Sequence, residues 1–363
     1  MTSTNTTDTP RVELLALSCQ ELRELMLSIG EPAYRAQQIF TQLHRGLSPE
    51  QMTNIGKATR EKLAARATWH LPTVEQKLVS GIDGTVKYLF ALSDGNCVES
   101  VVMTYEHGHT ICISSQVGCR MGCRFCASTI GGRVRDLSAA ELLGQVIAAQ
   151  VDFGKRIDNI VMMGIGEPLD NYDNVVKFLH LVNEEGGLNI GYRHISLSTC
   201  GIVNKIDDLA ALNLPITLSI SLHAPDDATR SAIMPVNNKW GVDALLAACR
   251  RYYERTQRRI SFEYTLISGK NDTPEQAEKL ARVLNSRLRG NSRSGAMPIH
   301  VNLIPVNEVS ETGFVRSAES AVRAFAKVLE SRGIRATVRR KLGPDINASC
   351  GQLRRAAMTQ ADQ

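Results

Sequence analysis

Aromatic side chains are scarce in this chain, with Phe, Trp and Tyr together making up 5% of its 363 residues. A surface built to stack many bases or rings is therefore excluded. Long apolar runs are also missing: no stretch approaches the roughly 18 residues that a membrane helix needs, so no membrane partner is expected. The opening MTSTNTTDTP is polar, without the apolar stretch of a secretory leader, and residues 1–12 are expected to form a disordered tail. Charge of one sign is nearly balanced, at +5 net, which points only mildly to a polyanionic partner. A hydrophobic content of 43% is enough for one large core with smaller attachments. A soluble, cytoplasmic, monomeric protein is the expectation.

Cysteine is not scarce. Nine are present, and without a leader they read as thiols of a reducing compartment that serve metals or catalysis. Three of them, Cys119, Cys123 and Cys126, crowd into a CxxxCxxC run. The neighbourhood lacks a fourth ligand: His107 and His109 are the nearest histidines upstream, and none follows before His180. A structural zinc knuckle wants four ligands, usually in CxxC pairs; it stands as the bland alternative, beside unrelated buried thiols. Three thiolates on a four-iron cluster leave one iron open. Such an iron can hold the amino and carboxylate groups of S-adenosylmethionine and pass it one electron, which starts radical chemistry.

Periodicity divides the chain. Residues 13–72 read as a helical accessory module, with Ser18 and Glu21 forming a capping box and Gly30 closing the first helix. Residues 73–104 alternate apolar and polar positions around Gly81 and Gly84, which predicts a hairpin and a further strand acting as a linker. Apolar β-rich runs at 110–115, 159–163, 194–198, 216–221, 260–267 and 299–304 then alternate with helical stretches. Six such units over residues 105–340 predict an α/β fold with a parallel sheet, curved or closed into a barrel. Residues 341–363 form a Gly/Pro-bounded C-terminal tail.

In a sheet of this kind chemistry gathers at the carboxyl ends of the strands. Gly164, Gly166 and Glu167 follow the second strand, Ser198 the third, Ser221 to His223 the fourth, and Asn307 the sixth. Each alone is a weak signal, since such turns and a lone histidine are commonly structural. Ranged around the cysteine loop they become a candidate ligand ring. Two basic clusters stand out: Arg250, Arg251, Arg255, Arg258 and Arg259, with Tyr252 and Tyr253 interleaved, and Arg339, Arg340 and Lys341. A solvated helix face is the reading favoured for the first.

The segments SSQVGCRMGCRFCAS, MGIGEPLDN, LSTCGI, SLHAP, MPVN, FEYTLI, NLIPVN and DINASCGQLR together closely resemble the dual-specificity radical S-adenosylmethionine RNA methyltransferases that methylate C2 of an adenine. That resemblance implies a partial (β/α)6 radical barrel with a small N-terminal helical domain and a C-terminal catalytic tail. It also implies a 4Fe-4S cluster, two S-adenosylmethionine molecules per turnover, and 23S rRNA and tRNA (position 37) as substrates, with an electron donor feeding the cluster. Residue by residue, Cys119, Cys123 and Cys126 match the cluster ligands. Gly166, Glu167, Ser198, Ser221, Leu222, His223 and Asn307 match cofactor contacts. Cys350 matches the cysteine that accepts a methyl group, Cys112 the thiol that resolves the covalent adduct as a disulfide forms, and Glu99 the proton acceptor.

Without the resemblance, Cys112 reads as a small buried strand residue and Glu99 as a solvent-facing one. Cys19, Cys97, Cys200 and Cys249 are left as packing. The rivals are the sister family that methylates adenine C8, a glycyl-radical activase, and a non-catalytic iron-sulfur or zinc RNA-binding protein.

Overall fold

A computed structural model describes residues 11–289, 297–307, 311–348 and 353. The chain opens with β1 (Val12–Glu13), α1 (Cys19–Ser28), α2 (Arg35–Leu43), α3 (Lys57–Arg66) and β2 (Ala67–Thr68), which pairs in parallel with β1. Helix α1 starts where the sequence says it should: the Ser18 side chain accepts from the Glu21 N–H, and the Glu21 carboxylate accepts from the Ser18 N–H. The module buries Leu22, Met26, Phe40 and Leu43 in one hydrophobic cluster shared with the rest of the chain. Polar ties fix it further, with Glu184 accepting from the Cys19 N–H at 2.8 Å and buried His44 accepting from the Leu188 N–H at 3.1 Å.

Strands β3 (Thr73–Val79), β4 (Val86–Ala91), β5 (Cys97–Tyr105) and β6 (Gly108–Cys112) form an antiparallel ladder. A two-stranded hairpin, β7 (Gln116–Gly118) with β8 (Arg133–Asp136), encloses the cysteine loop. Then follow α4 (Ala139–Phe153), β9 (Asn159–Met162), α5 (Tyr172–Asn183), β10 (Ile195–Thr199), α6 (Val203–Ala211), β11 (Thr217–Ser221), α7 (Asp227–Ile233), α8 (Val242–Thr256), β12 (Ile260–Leu266), α9 (Pro274–Leu284), β13 (Ile299–Pro305), α10 (Glu319–Ser331) and β14 (Arg335–Val338).

Ten strands make one sheet in the order β14-β13-β12-β11-β10-β9-β6-β5-β4-β3. Pairing is parallel from β6 to β14, as the strand-helix alternation predicts, and the sheet is open at its edges rather than closed. Residues 73–104 hold the hairpin of β3 and β4 and most of β5, and these antiparallel strands belong to the same sheet. Strand β6 is the switch, antiparallel to β5 on one side and parallel to β9 on the other.

The two faces of the parallel half differ in chemistry because the sequence alternates. On β12, Phe262, Tyr264 and Leu266 join the apolar core, while Ser261, Glu263 and Thr265 point the other way. That second face is polar at its centre, with the Ser196 and Ser219 hydroxyls 3.2 Å apart and Asn302 donating to Glu263 at 2.6 Å, and apolar toward β6 and β9, where Val161 and Met163 lie. This mixed inner surface runs up to the strand ends, where the cavity lies.

Candidate active site

The carboxyl ends of β6 and of β9 through β13 surround a cavity of about 320 Å³. Its wall holds Cys112, Cys119, Cys123 and Cys126, together with Gly166, Glu167, Ser198, Ser221, His223 and Asn307. Nearly every residue singled out from the strand ends therefore shares one space. Leu222 does not: its side chain lies fully buried in the hydrophobic core, and only its carbonyl, which accepts from Arg230 at 3.0 Å, faces the strand ends. Cys200, left as packing by sequence reasoning, also lines the cavity.

The cysteine loop is shaped by backbone bonds. The Cys119 N–H donates to the Gly132 carbonyl at 2.9 Å, the Cys126 N–H to the Cys123 carbonyl at 3.0 Å, and the Thr129 hydroxyl bridges the carbonyls of both Cys123 and Cys126. At its entrance Gly118 has φ +78, and a Cβ there would collide with the Gly132 carbonyl oxygen. Only glycine fits that turn. Gly166 has φ +106, and a Cβ would stand 2.7 Å from the Gln116 nitrogen. Gln116 itself joins the two loops, accepting from the Glu167 N–H at 2.9 Å and donating to Asp136 and Asp170.

Burial pushes the Cys119 thiol up to about 12 and raises that of Cys123 as well. Alone, these groups stay protonated; iron supplies the positive charge that makes thiolates stable. Among the described residues no group of three or more His, Cys, Asp or Glu is arranged to hold a metal ion. A four-iron cluster takes each sulfur on a different iron, so three sulfurs in one wall suit it without converging on a single point. The Ser128 hydroxyl, beside this loop in the cavity wall, is buried without a hydrogen-bond partner among the described residues and has a donor to offer a bound group. The donor set fits a cluster with one open iron.

His223 follows β11 at φ +56, a conformation that costs a non-glycine residue about 1–3 kcal/mol and is held by its surroundings. Its Nδ1 accepts from the Thr265 N–H at 2.9 Å, and Asn271 donates to its carbonyl at 2.8 Å. Burial lowers its pKa to about 3, so the ring is neutral with its proton on Nε2. Glu167 is buried with its carboxylate accepting from the N–H groups of Cys200 and Leu169, at 2.7 and 2.9 Å, and burial raises its pKa.

Arg230, which sequence reasoning missed, is fully buried and donates to the carbonyls of Cys200, Ser221 and Leu222, at 2.6, 3.1 and 3.0 Å. One guanidinium thus ties the ends of β10 and β11. No local periodicity marks such a residue, since its partners are backbone carbonyls 8, 9 and 30 residues away, outside its own helix.

Glu99 is not solvent-facing. It is buried on β5 and pairs with equally buried Lys87 at 3.0 Å. A charged residue inside the otherwise apolar VKYLFA strand was the available signal for this pair. Lys87 also donates to the Asn347 carbonyl at 3.1 Å, which brings the tail over this spot. Further along, Leu342 and Ala348 pack on a small cluster of Val101, Met103 and Cys112. Cys350 lies outside the described residues.

Comparison with known proteins gives the same picture over the whole length. The Radical SAM superfamily profile matches residues 113–284, and that of the ribosomal RNA large subunit methyltransferase N-terminal domain matches residues 12–68. The chain is 50% identical to a probable dual-specificity RNA methyltransferase RlmN of Clostridium novyi, over 94% of this chain and 97% of that protein. It is 51% identical to a protein of the same name from Clostridium tetani, over 95% and 96%. A crystal structure of a radical SAM methyltransferase from Sphaerobacter thermophilus superposes with TM-score 0.87 at 41% identity, covering 94% of this chain and 98% of that one. The superfamily implies a 4Fe-4S cluster and S-adenosylmethionine as cofactors. With half its residues shared along nearly its full length, the chain belongs to the RlmN family of dual-specificity RNA methyltransferases, within the radical SAM superfamily.

Proposed function

We propose that this protein methylates C2 of a specific adenine in 23S rRNA and in tRNA at position 37, in the cytoplasm and as a monomer. The observation that carries this reading is that one cavity collects the three loop cysteines, Cys112 and the start of the tail that leads to Cys350. When bound, the cluster and S-adenosylmethionine supply a carbon radical, fed by an external electron donor. Cys119, Cys123 and Cys126 hold the cluster in this proposal. Gly166, Glu167, Ser198, Ser221, His223 and Asn307 line the cofactor pocket, with Leu222 contributing backbone alone.

Adenine C2 is electrophilic and carries a hydrogen that an ordinary base does not remove, so a sulfur must carry the carbon to it. The Cys350 thiolate takes the methyl group of one S-adenosylmethionine by displacement, forming its S–C bond as the sulfonium S–C bond breaks. The carbon radical that the cluster and a second S-adenosylmethionine would supply would take one hydrogen atom from the S-methyl group of Cys350, the carbon would then bond to C2, and the electron left over as the C2 proton departs would return to the cluster. Glu99, beside Lys87, accepts the C2 proton in this scheme. Cys112 then attacks the Cys350 sulfur: an S–S bond forms, the S–C bond breaks with its electron pair left on carbon, and that carbon takes up a proton. An external thiol resets the disulfide. A disulfide needs Cα atoms within about 7 Å, and Ala348, already packed beside Cys112, is two residues from Cys350.

The test is mass analysis of RNA fragments after incubation with the reconstituted enzyme. A methyl group on C2 of one adenine is expected; a methyl on C8 overturns the assignment in favour of the sister chemistry.

The RNA grip is proposed at the cavity mouth. Arg339, Arg340 and Lys341 line it and are exposed, and none makes an ion pair within 4.0 Å among the described residues. In the other basic cluster two cations are already engaged, Arg250 with Glu254 at 3.0 Å and Arg251 with Asp207 at 2.7 Å, and Tyr252 and Tyr253 are buried. Substituting Gln at all three mouth cations is expected to weaken RNA binding and to lower the slope of log affinity against log salt by about 0.7–0.9 for each phosphate that is no longer neutralised. Gln at Arg250 and Arg251 leaves that slope unchanged. Binding measured across a salt series checks both. The helical module at 13–72 is proposed as a second RNA-facing part, with 105–340 as the barrel and 341–363 as the catalytic tail.

A further inference from the structure

Two carboxylates far apart in sequence make a reciprocal pair of contacts between the β3–β4 turn and the tail. Asp83, in the turn, accepts from the Gly343 N–H at 2.9 Å. Asp345, in the tail, accepts from the Ser80 hydroxyl at 2.7 Å and from the Gly81 N–H at 2.9 Å. Both carboxyls are held below the usual range by these donors, Asp83 to about 2. The tail segment is also closed on itself: the N–H of Ala348 donates to the Gly343 carbonyl at 3.1 Å, with Gly343 and Asn347 at φ +56 and +45. Buried Lys87 adds its bond to the Asn347 carbonyl from beneath. The outcome is a compact loop set on the sheet with Leu342 and Ala348 against Val101, Met103 and Cys112.

Few of these contacts serve the core. Asp345 is exposed and Asp83 half-buried, and the turn Ser80–Thr85 closes through its own backbone bond at 2.8 Å without the tail. Contacts that add little to the core yet fix one short segment beside a reactive thiol have the character of a positioning device. We propose that Asp83 and Asp345 are positioning residues that dock residues 343–348 beside Cys112, and that this dock sets how often the Cys350 sulfur meets that of Cys112. The second half rests on the functional reading above.

Amide hydrogen exchange on the full-length protein tests the dock, and diamide-driven formation of the Cys112–Cys350 disulfide tests its use. In Asp345→Ala and Asp83→Ala the amides of 343–348 are expected to exchange about tenfold faster, as removal of one or two hydrogen bonds implies. Disulfide formation slows by a similar factor, and the melting temperature stays within a degree or two of the parent. Asp345→Asn, which retains one acceptor, falls between. Unchanged exchange in both alanine variants overturns the dock. Faster exchange with an unchanged disulfide rate overturns the positioning role. A parent protein that forms no such disulfide, while exchange behaves as expected, counts instead against the roles given to Cys112 and Cys350.

Discussion

Cys112→Ala, incubated with RNA, S-adenosylmethionine and a reductant, is expected to end as a protein covalently joined to RNA, with release of methylated product lowered by at least about 10³-fold. Cys112 ends β6 at the seam of the sheet, and in the proposed scheme its removal takes away the nucleophile that breaks the S–C bond while leaving the cavity wall otherwise intact. The cost in stability is small, since a buried Cys→Ala change deletes one sulfur from a minor cluster of apolar side chains. A slow band on denaturing gels that nuclease shortens, with the attached nucleotide mapped by mass to Cys350, is the measurement. Full turnover without an adduct would falsify the role given to Cys112. Combining the change with Cys350→Ala should abolish the band, because the proposed scheme carries the carbon on that sulfur.

The second large effect is expected at Cys123. Cys123→Ala leaves two sulfurs in a loop whose shape is set by backbone bonds, so the fold survives while iron and sulfide fall to near background and turnover is abolished. Anaerobic reconstitution followed by iron and sulfide counts reads the metal content, and circular dichroism reads the fold. A variant that retains a full complement of iron would remove Cys123 from the ligand set. Zinc with neither iron nor sulfide in the parent protein would favour a structural knuckle instead. The loop is also tied by backbone bonds to the Gly132 and Ile233 carbonyls and by Met121 and Phe125 packed on the core, contacts that the substitution leaves in place.

Strand-helix alternation is a local property, and from β6 to β14 the sequence declared it openly: each apolar β-rich run became a strand and each amphipathic stretch a crossover helix. The cysteine spacing was legible for the same reason, since ligand and loop lie within a few residues. What escaped were contacts whose two halves are remote. The antiparallel strands at 73–104 look like a separate hairpin until β5 is seen to pair with β6. Glu99 on its own reads as a surface residue, and only Lys87 on the neighbouring strand makes its burial tolerable. Arg230 serves three carbonyls that no pattern in its own helix predicts. At Leu222 the neighbours on both sides line the cavity while its own side chain is buried in the core, a split that the motif alone does not display.

The order of synthesis gives the reciprocal Asp83 and Asp345 contacts a further meaning. The turn that receives the tail leaves the ribosome early, and all ten strands precede residue 343, so a nascent chain can assemble its sheet while that berth is still vacant. Until the last stretch emerges, Lys87 has its carboxylate companion but no carbonyl lid. A message cut short after β14 would then yield a protein with its sheet complete but without Cys350, and with Val101 and Met103 stripped of the Leu342 and Ala348 side chains that pack on them.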